Sequence, residues 1–236
     1  IADVYRGQMV DTYLNIKGGL GIYTDKTMVE NIIRELHGES TGNATALKAA
    51  QGISKTFDDI LERFNRAGGD IKKRRDYALP QHHSPEKVAS AGKERWINET
   101  IDLIKREDFV DADGNLMSDD ELRSLLGDMY TTIVTDGANK IEVGTGYVGG
   151  GAKVTSKHQE GRVLNFKDAD AWMDYQSQYG GMQFVDILEN HVLSMSKDIA
   201  LVERFGSSPK AAMRILMDSA RKIDTVDNGI KLDKVN

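Results

Sequence analysis

The stretch from Asn43 to Ala67, NATALKAAQGISKTFDDILERFNRA, decides the fold class. Leu47, Ala50, Ile53, Phe57, Ile60, Leu61 and Phe64 recur at three- and four-residue steps, which gathers them into one stripe of a long α-helix. Gly68 and Gly69 end it. Upstream, residues 3–16 and 25–37 repeat that spacing, with Met28, Ile32, Ile33 and Leu36 marking the second segment. Gly18, Gly19 and Gly21 separate the two helices so predicted, and Gly38 stops the second where a left-handed residue is wanted.

Downstream the same signals continue. Ser84, Pro85 and Glu86 form a helix start, because serine caps free amides, proline suits the first turn and glutamate favours the positive end. Helical pattern then runs through Trp96, Ile97, Ile101 and Ile104, with Gly92 as a break. Residues 107–121 hold seven acids and no base and read as an inter-helix loop; Asp113 and Gly114 supply its turn, and Ser118 caps a helix reaching Thr135. Between Gly137 and Gly161 lie seven glycines without helical period, which predicts a loop or a small β-hairpin arm. Arg162 to Phe166 reads as one short strand, and Asp168 caps a helix through Tyr179. A further helix from about Gln183 to Phe205 carries Phe184, Ile187, Leu188, Val192, Met195, Ile199, Val202 and Phe205 on one face. Ser208 and Pro209 open a last one, and the tail after Ile223 reads as frayed. The expected architecture is therefore a mainly α, multi-helix globular bundle with one Gly-rich arm. It divides into an N-terminal helical part (1–136), the arm (137–161) and a C-terminal helical part (162–236), together forming one globular unit.

Composition narrows the chemistry. The absence of cysteine removes disulfides, thiolate metal sites and thiol nucleophiles. No apolar run reaches the roughly 18 residues a membrane helix needs. A net charge of −6 opposes a whole-surface nucleic-acid binder, since phosphate affinity comes from clustered Lys and Arg. The local run Lys72, Lys73, Arg74 and Arg75 remains the candidate nucleic-acid contact, with only Tyr77 beside it for base stacking. The chain opens on Ile1 inside a helical pattern, so it is expected to be a piece of a larger polypeptide.

Four motifs invite a functional reading. His82 and His83, in LPQHH (Leu79 to His83), have the chemistry of metal ligands or a general base. Adjacent side chains diverge and His37 and His158 are distant in sequence, so a structural loop whose imidazoles bond nearby helix ends is the better expectation. The run DADGN (Asp111 to Asn115) resembles the start of a calcium loop. With Asp111 first, however, Leu116 stands at the sixth position and Leu122 at the twelfth, where glycine and a bidentate glutamate are needed. GTGYVGGG (Gly144 to Gly151) neither follows a strand nor opens a helix, so it fails as a dinucleotide fingerprint. Trp172 and Tyr175, three apart, are expected on one helical face as core. No catalytic, cofactor-binding or metal-binding residue is assigned.

Read in order, RELHG (Arg34 to Gly38), RFNRAGGDI (Arg63 to Ile71), LPQHHSPEKV (Leu79 to Val88), DADGNLMSDDEL (Asp111 to Leu122), GRVLNFKDADAWMDYQSQYG (Gly161 to Gly180) and LVERFGSSPKAA (Leu201 to Ala212) carry a resemblance over roughly residues 30–220. The chain resembles a helical region inside the very large virion-associated proteins of tailed bacteriophages and prophages, the internal or DNA-ejection proteins. The resemblance implies a non-catalytic structural segment, placed in the virion or in the host cytoplasm during assembly. The implied partners are other parts of the parent protein, copies of itself and phage DNA, with any enzymatic module elsewhere in the parent. Two alternatives stand beside it. One is a helical module contacting nucleic acid through Lys72, Lys73, Arg74 and Arg75, gathered with Lys153, Lys157 and Arg162. The other is a hydrolase using His82 or His83.

Overall fold

A computed structural model of the chain describes residues 1–15, 19–69, 71, 79–111, 113–137, 164–206 and 212–221. The described residues are mainly helical. In order they are α1 (Ala2–Leu14), a 3-10 turn (Gly19–Thr24), α2 (Lys26–Leu36), α3 (Ala44–Arg66), α4 (Pro85–Ala91), α5 (Lys93–Ile101), α6 (Asp119–Val134), α7 (Ala169–Tyr179), α8 (Phe184–Phe205) and α9 (212–221). The start signals act as the sequence requires. Asp25, Asn43, Ser84, Ser118 and Asp168 each turn a side-chain oxygen onto a backbone N–H of the first turn. Ser118 and Glu121 complete a reciprocal capping box. Gly92, at φ 80, separates α4 from α5.

Three apolar clusters hold these helices together. Tyr5, Ile60, Phe64, Val192 and Ile199 join α1, α3 and α8. Ile32, Ile53, Leu79, Trp172 and Leu188 join α2, α3, α7 and α8. Val88, Trp96, Leu122, Leu126 and Leu164 join α4, α5 and α6, and Tyr175 and Tyr179 bring α7 into the same cluster. Full burial of one such side chain contributes about 1.5–3 kcal/mol, so the fold rests on these positions more than on surface ion pairs at about 0–1 kcal/mol. Residues on both sides of the Gly-rich segment contribute to the second and third clusters, and Phe166 packs against both.

The structure departs from the sequence reading at three points. On α3 the buried edge runs through Ala46, Ala49, Ala50, Ile53, Ile60 and Phe64, whereas Leu47 is exposed and Leu61 only half-buried. Small residues let neighbouring helices come close, and Gly52 likewise has no Cβ where the Thr12 side chain of α1 sits. Trp172 and Tyr175 are both buried core residues, as expected. Trp172 enters the second cluster and Tyr175 the third, because α7 is covered on two sides. The expected strand from Arg162 to Phe166 is, where described, a single antiparallel bridge of Phe166 with Ile104. Finally, the loop of residues 107–121 contains its own order, a 3-10 turn at Arg106–Asp108 and a bridge from Val110 to Leu116. The Gly-rich arm beyond Gly137, Ser208, Pro209 and the tail after Ile223 lie outside the described residues.

Candidate functional site

The segment Leu79–Lys87 is where the candidate chemistry meets the tertiary structure. Leu79 is buried, Pro80 follows it, and the next residues send their polar groups to distant parts of the chain. The Gln81 amide clamps the backbone of one residue. Its Oε1 accepts the Leu164 N–H at 2.9 Å and its Nε2 donates to the Leu164 carbonyl. His82 Nδ1 accepts the Gly181 N–H at 3.0 Å. His83 Nδ1 lies 2.8 Å from the Tyr175 hydroxyl, which also takes the Trp96 indole N–H at 3.2 Å. An indole N–H only donates, so the Tyr175 oxygen accepts from Trp96, and the hydroxyl shares its second hydrogen bond with the His83 ring.

The α7–α8 corner is gripped at three consecutive residues. Ser84 N–H donates to the Tyr179 carbonyl at 2.8 Å, Lys87 Nζ donates to the Gly180 carbonyl at 2.6 Å, and His82 takes the Gly181 N–H. Gly180 is itself crowded by the last turn of α7. A Cβ there would lie 2.5 Å from the Gln176 carbonyl oxygen and 3.0 Å from the Gln176 Cα. The Ser84 hydroxyl meanwhile caps α4 and donates to Glu86 at 2.9 Å.

Electrostatics follow from this packing. Burial pushes the Tyr175 hydroxyl far above the ordinary tyrosine range, so it serves as a neutral hydrogen-bonding hub. Tyr179 is pushed up to about 12, by burial first and then by its hydrogen bond to Glu99. That bond, with the one from Arg95, holds the Glu99 carboxyl below its usual range. His82 is held below its ordinary value, by burial first and then by the Lys87 ammonium.

Beside the corner lies a shallow surface depression of 550 Å³ between α4, α5 and α7. It is lined by Glu86, Lys87, Ser90, Arg95, Gln178 and Tyr179 among others. Neither histidine lines it. Its charged groups already serve structure, Arg95 pairing with Glu99 at 2.7 Å, Lys87 with Gly180 and Glu86 with Ser84.

The other sequence motifs resolve into local or tertiary bonds. The Asp111 carboxylate accepts the N–H groups of Asp113 at 2.9 Å and Asn115 at 2.8 Å, closing the acidic turn on itself. Arg34 bridges Glu39 at 2.8 Å and Asp170, and Glu39 accepts the Ala169 N–H at 2.9 Å, tying the end of α2 to the start of α7. Asn65 clamps both peptide groups of Ile71, and Arg63 forms a two-bond pair with Glu203. Among the described residues no three His, Asp or Glu side chains converge as a metal site. Lys72, Lys73, Arg74 and Arg75, with Lys153, Lys157 and Arg162, lie outside the described residues.

Sequence reasoning anticipated imidazoles bonding helix ends, which His82 does at Gly181. It missed the Tyr175 hub, the Gln81 clamp and the Lys87 grip. The usable signal was that a buried Tyr or Trp seeks a polar partner, and an imidazole-bearing loop is one place to find it. No protein-family model matches the chain, and no curated protein and no solved structure matches it.

Proposed function

We propose that this chain is a non-catalytic structural and interaction segment of a large phage virion-associated protein of the internal or DNA-ejection type. One observation carries the reading. The side chains with the best claim to catalysis or metal binding, His82, His83 and Asp111, spend hydrogen bonds on joining or closing backbone elements. The resemblance over residues 30–220 supplies the virion context. Several of its quoted segments hold one another in space: RELHG bonds to the KDAD stretch, RFNRAGGDI to LVERF, and LPQHHSPEKV to the two ends of GRVLNFKDADAWMDYQSQYG. A segment selected for mutual packing fits scaffold work, with partners in the parent polypeptide, in further copies or in packaged DNA. No helix of the described residues is long and apolar enough to cross a membrane.

The test is to purify particles from a lysate of the host carrying the gene and probe them with an antibody against this chain, before and after DNA ejection. The expected result is signal in full particles and its loss from emptied ones. Absence from full particles overturns the assignment.

A further inference from the structure

We propose that His82 and Lys87 form a proton-operated clasp on the corner between α7 and α8, closed while the His82 imidazole is neutral and released when the ring takes up a proton. A backbone N–H can only donate, so the 3.0 Å contact from Gly181 requires a lone pair on His82 Nδ1 and places the ring proton on Nε2. Protonation puts a second N–H on Nδ1, facing the Gly181 N–H. An attractive bond becomes a repulsive contact.

Among the described residues no carboxylate is set against the ring to compensate the cation. From α4 the ring faces the Lys87 ammonium, while the Glu86 carboxylate of the same helix is occupied by the Ser84 hydroxyl. From the corner itself it meets Gly181, where a Cβ would lie 3.1 Å from His82 Cε1. From α7 the nearby titratable groups are the Tyr175 and Tyr179 hydroxyls, both kept neutral by burial. Release at Gly181 frees the corner at its weakest end, because Gln183, the first residue of the α8 start, provides no side-chain cap.

The sign is fixed by the depressed proton affinity of His82. A histidine whose folded value lies below 6.5 contributes stability that is fully present above 6.5 and is lost as pH falls below it toward the folded value. Over that window the opening of the corner rises by at most about tenfold per pH unit for one linked proton.

Native-state hydrogen exchange on the whole chain at pH 7, 6 and 5, corrected for intrinsic rates, tests the clasp. Gly181 protection is expected to fall between pH 7 and 5, by no more than about tenfold per pH unit below 6.5, while the Ile53 and Leu126 amides in the cores keep theirs. In His82→Asn, which retains an acceptor but cannot gain a charge, Gly181 protection should not change with pH. Protection at Gly181 that is constant with pH in the natural sequence, or that falls equally in the variant, overturns the proposal. Should the variant not fold, the imidazole titration of His82 read by NMR in the natural chain decides: a midpoint below 6.5 accompanied by loss of Gly181 protection supports the clasp, and a midpoint at or above 6.5 overturns it.

Discussion

The Leu79–Val88 and Asp111–Leu122 segments make the same offer in sequence and are built in opposite ways. Each gathers side chains suited to metal or proton chemistry just before a serine-capped helix. In the first, Gln81, His82 and His83 reach partners 83, 99 and 92 residues away. In the second, the described bonds of Asp111 stay within the next four residues, through Asp113 and Asn115. The first therefore holds helices against one another in partly buried surroundings, and the second shapes an exposed turn. Adjacent reactive residue types say little about chemistry until their partners are known, since the same carboxamide, imidazole and carboxylate groups serve as ordinary brackets.

Four substitutions would break or sharpen that contrast, each read as a shift in the urea unfolding curve. The largest effect is expected at Gly180→Ala, about 3 kcal/mol, because the new methyl meets main-chain atoms of Gln176 that have no rotamer in which to escape. A loss under about 1 kcal/mol there would mean that the corner is not tightly held. Next comes Tyr175→Phe, at about 2 kcal/mol. It leaves the fully buried Trp96 indole N–H and His83 Nδ1 without the hydroxyl they share.

Gln81→Ala is expected to cost about 1.5 kcal/mol by stripping the partners of the backbone N–H and carbonyl of buried Leu164. Its distinguishing readout is faster amide exchange at Leu164 with the amides of α6 unchanged. The smallest change is Asp111→Ala, about 0.5 kcal/mol, since neighbouring water can satisfy the exposed amides it now serves. If Asp111→Ala proved as costly as Tyr175→Phe, the distinction between the two segments would collapse.

Much of the fold was legible because helix signals are short in range. The caps at Ser84, Ser118 and Asp168, the break at Gly92 and the stripe of α8 all involve residues within four positions of one another. Leu47 shows the limit. Its spacing is right for a core position, yet α3 turns its alanine edge inward because close neighbours fit there, and the larger leucine stays in solvent.

By itself, then, the sequence determined that the described residues are mainly helical, where most of their helices begin and stop, and that no thiol is present. Each of those is set by composition or by local backbone geometry. Only the tertiary structure decided that α7 is covered on two sides, that Tyr175 joins Trp96 to His83, and that Gln81, His82 and Lys87 close on Leu164, Gly181 and Gly180. Those contacts join residues some 80 to 100 positions apart. No periodicity or cap signal spans such a separation, because it is the packing of apolar faces that brings the partners within hydrogen-bonding distance.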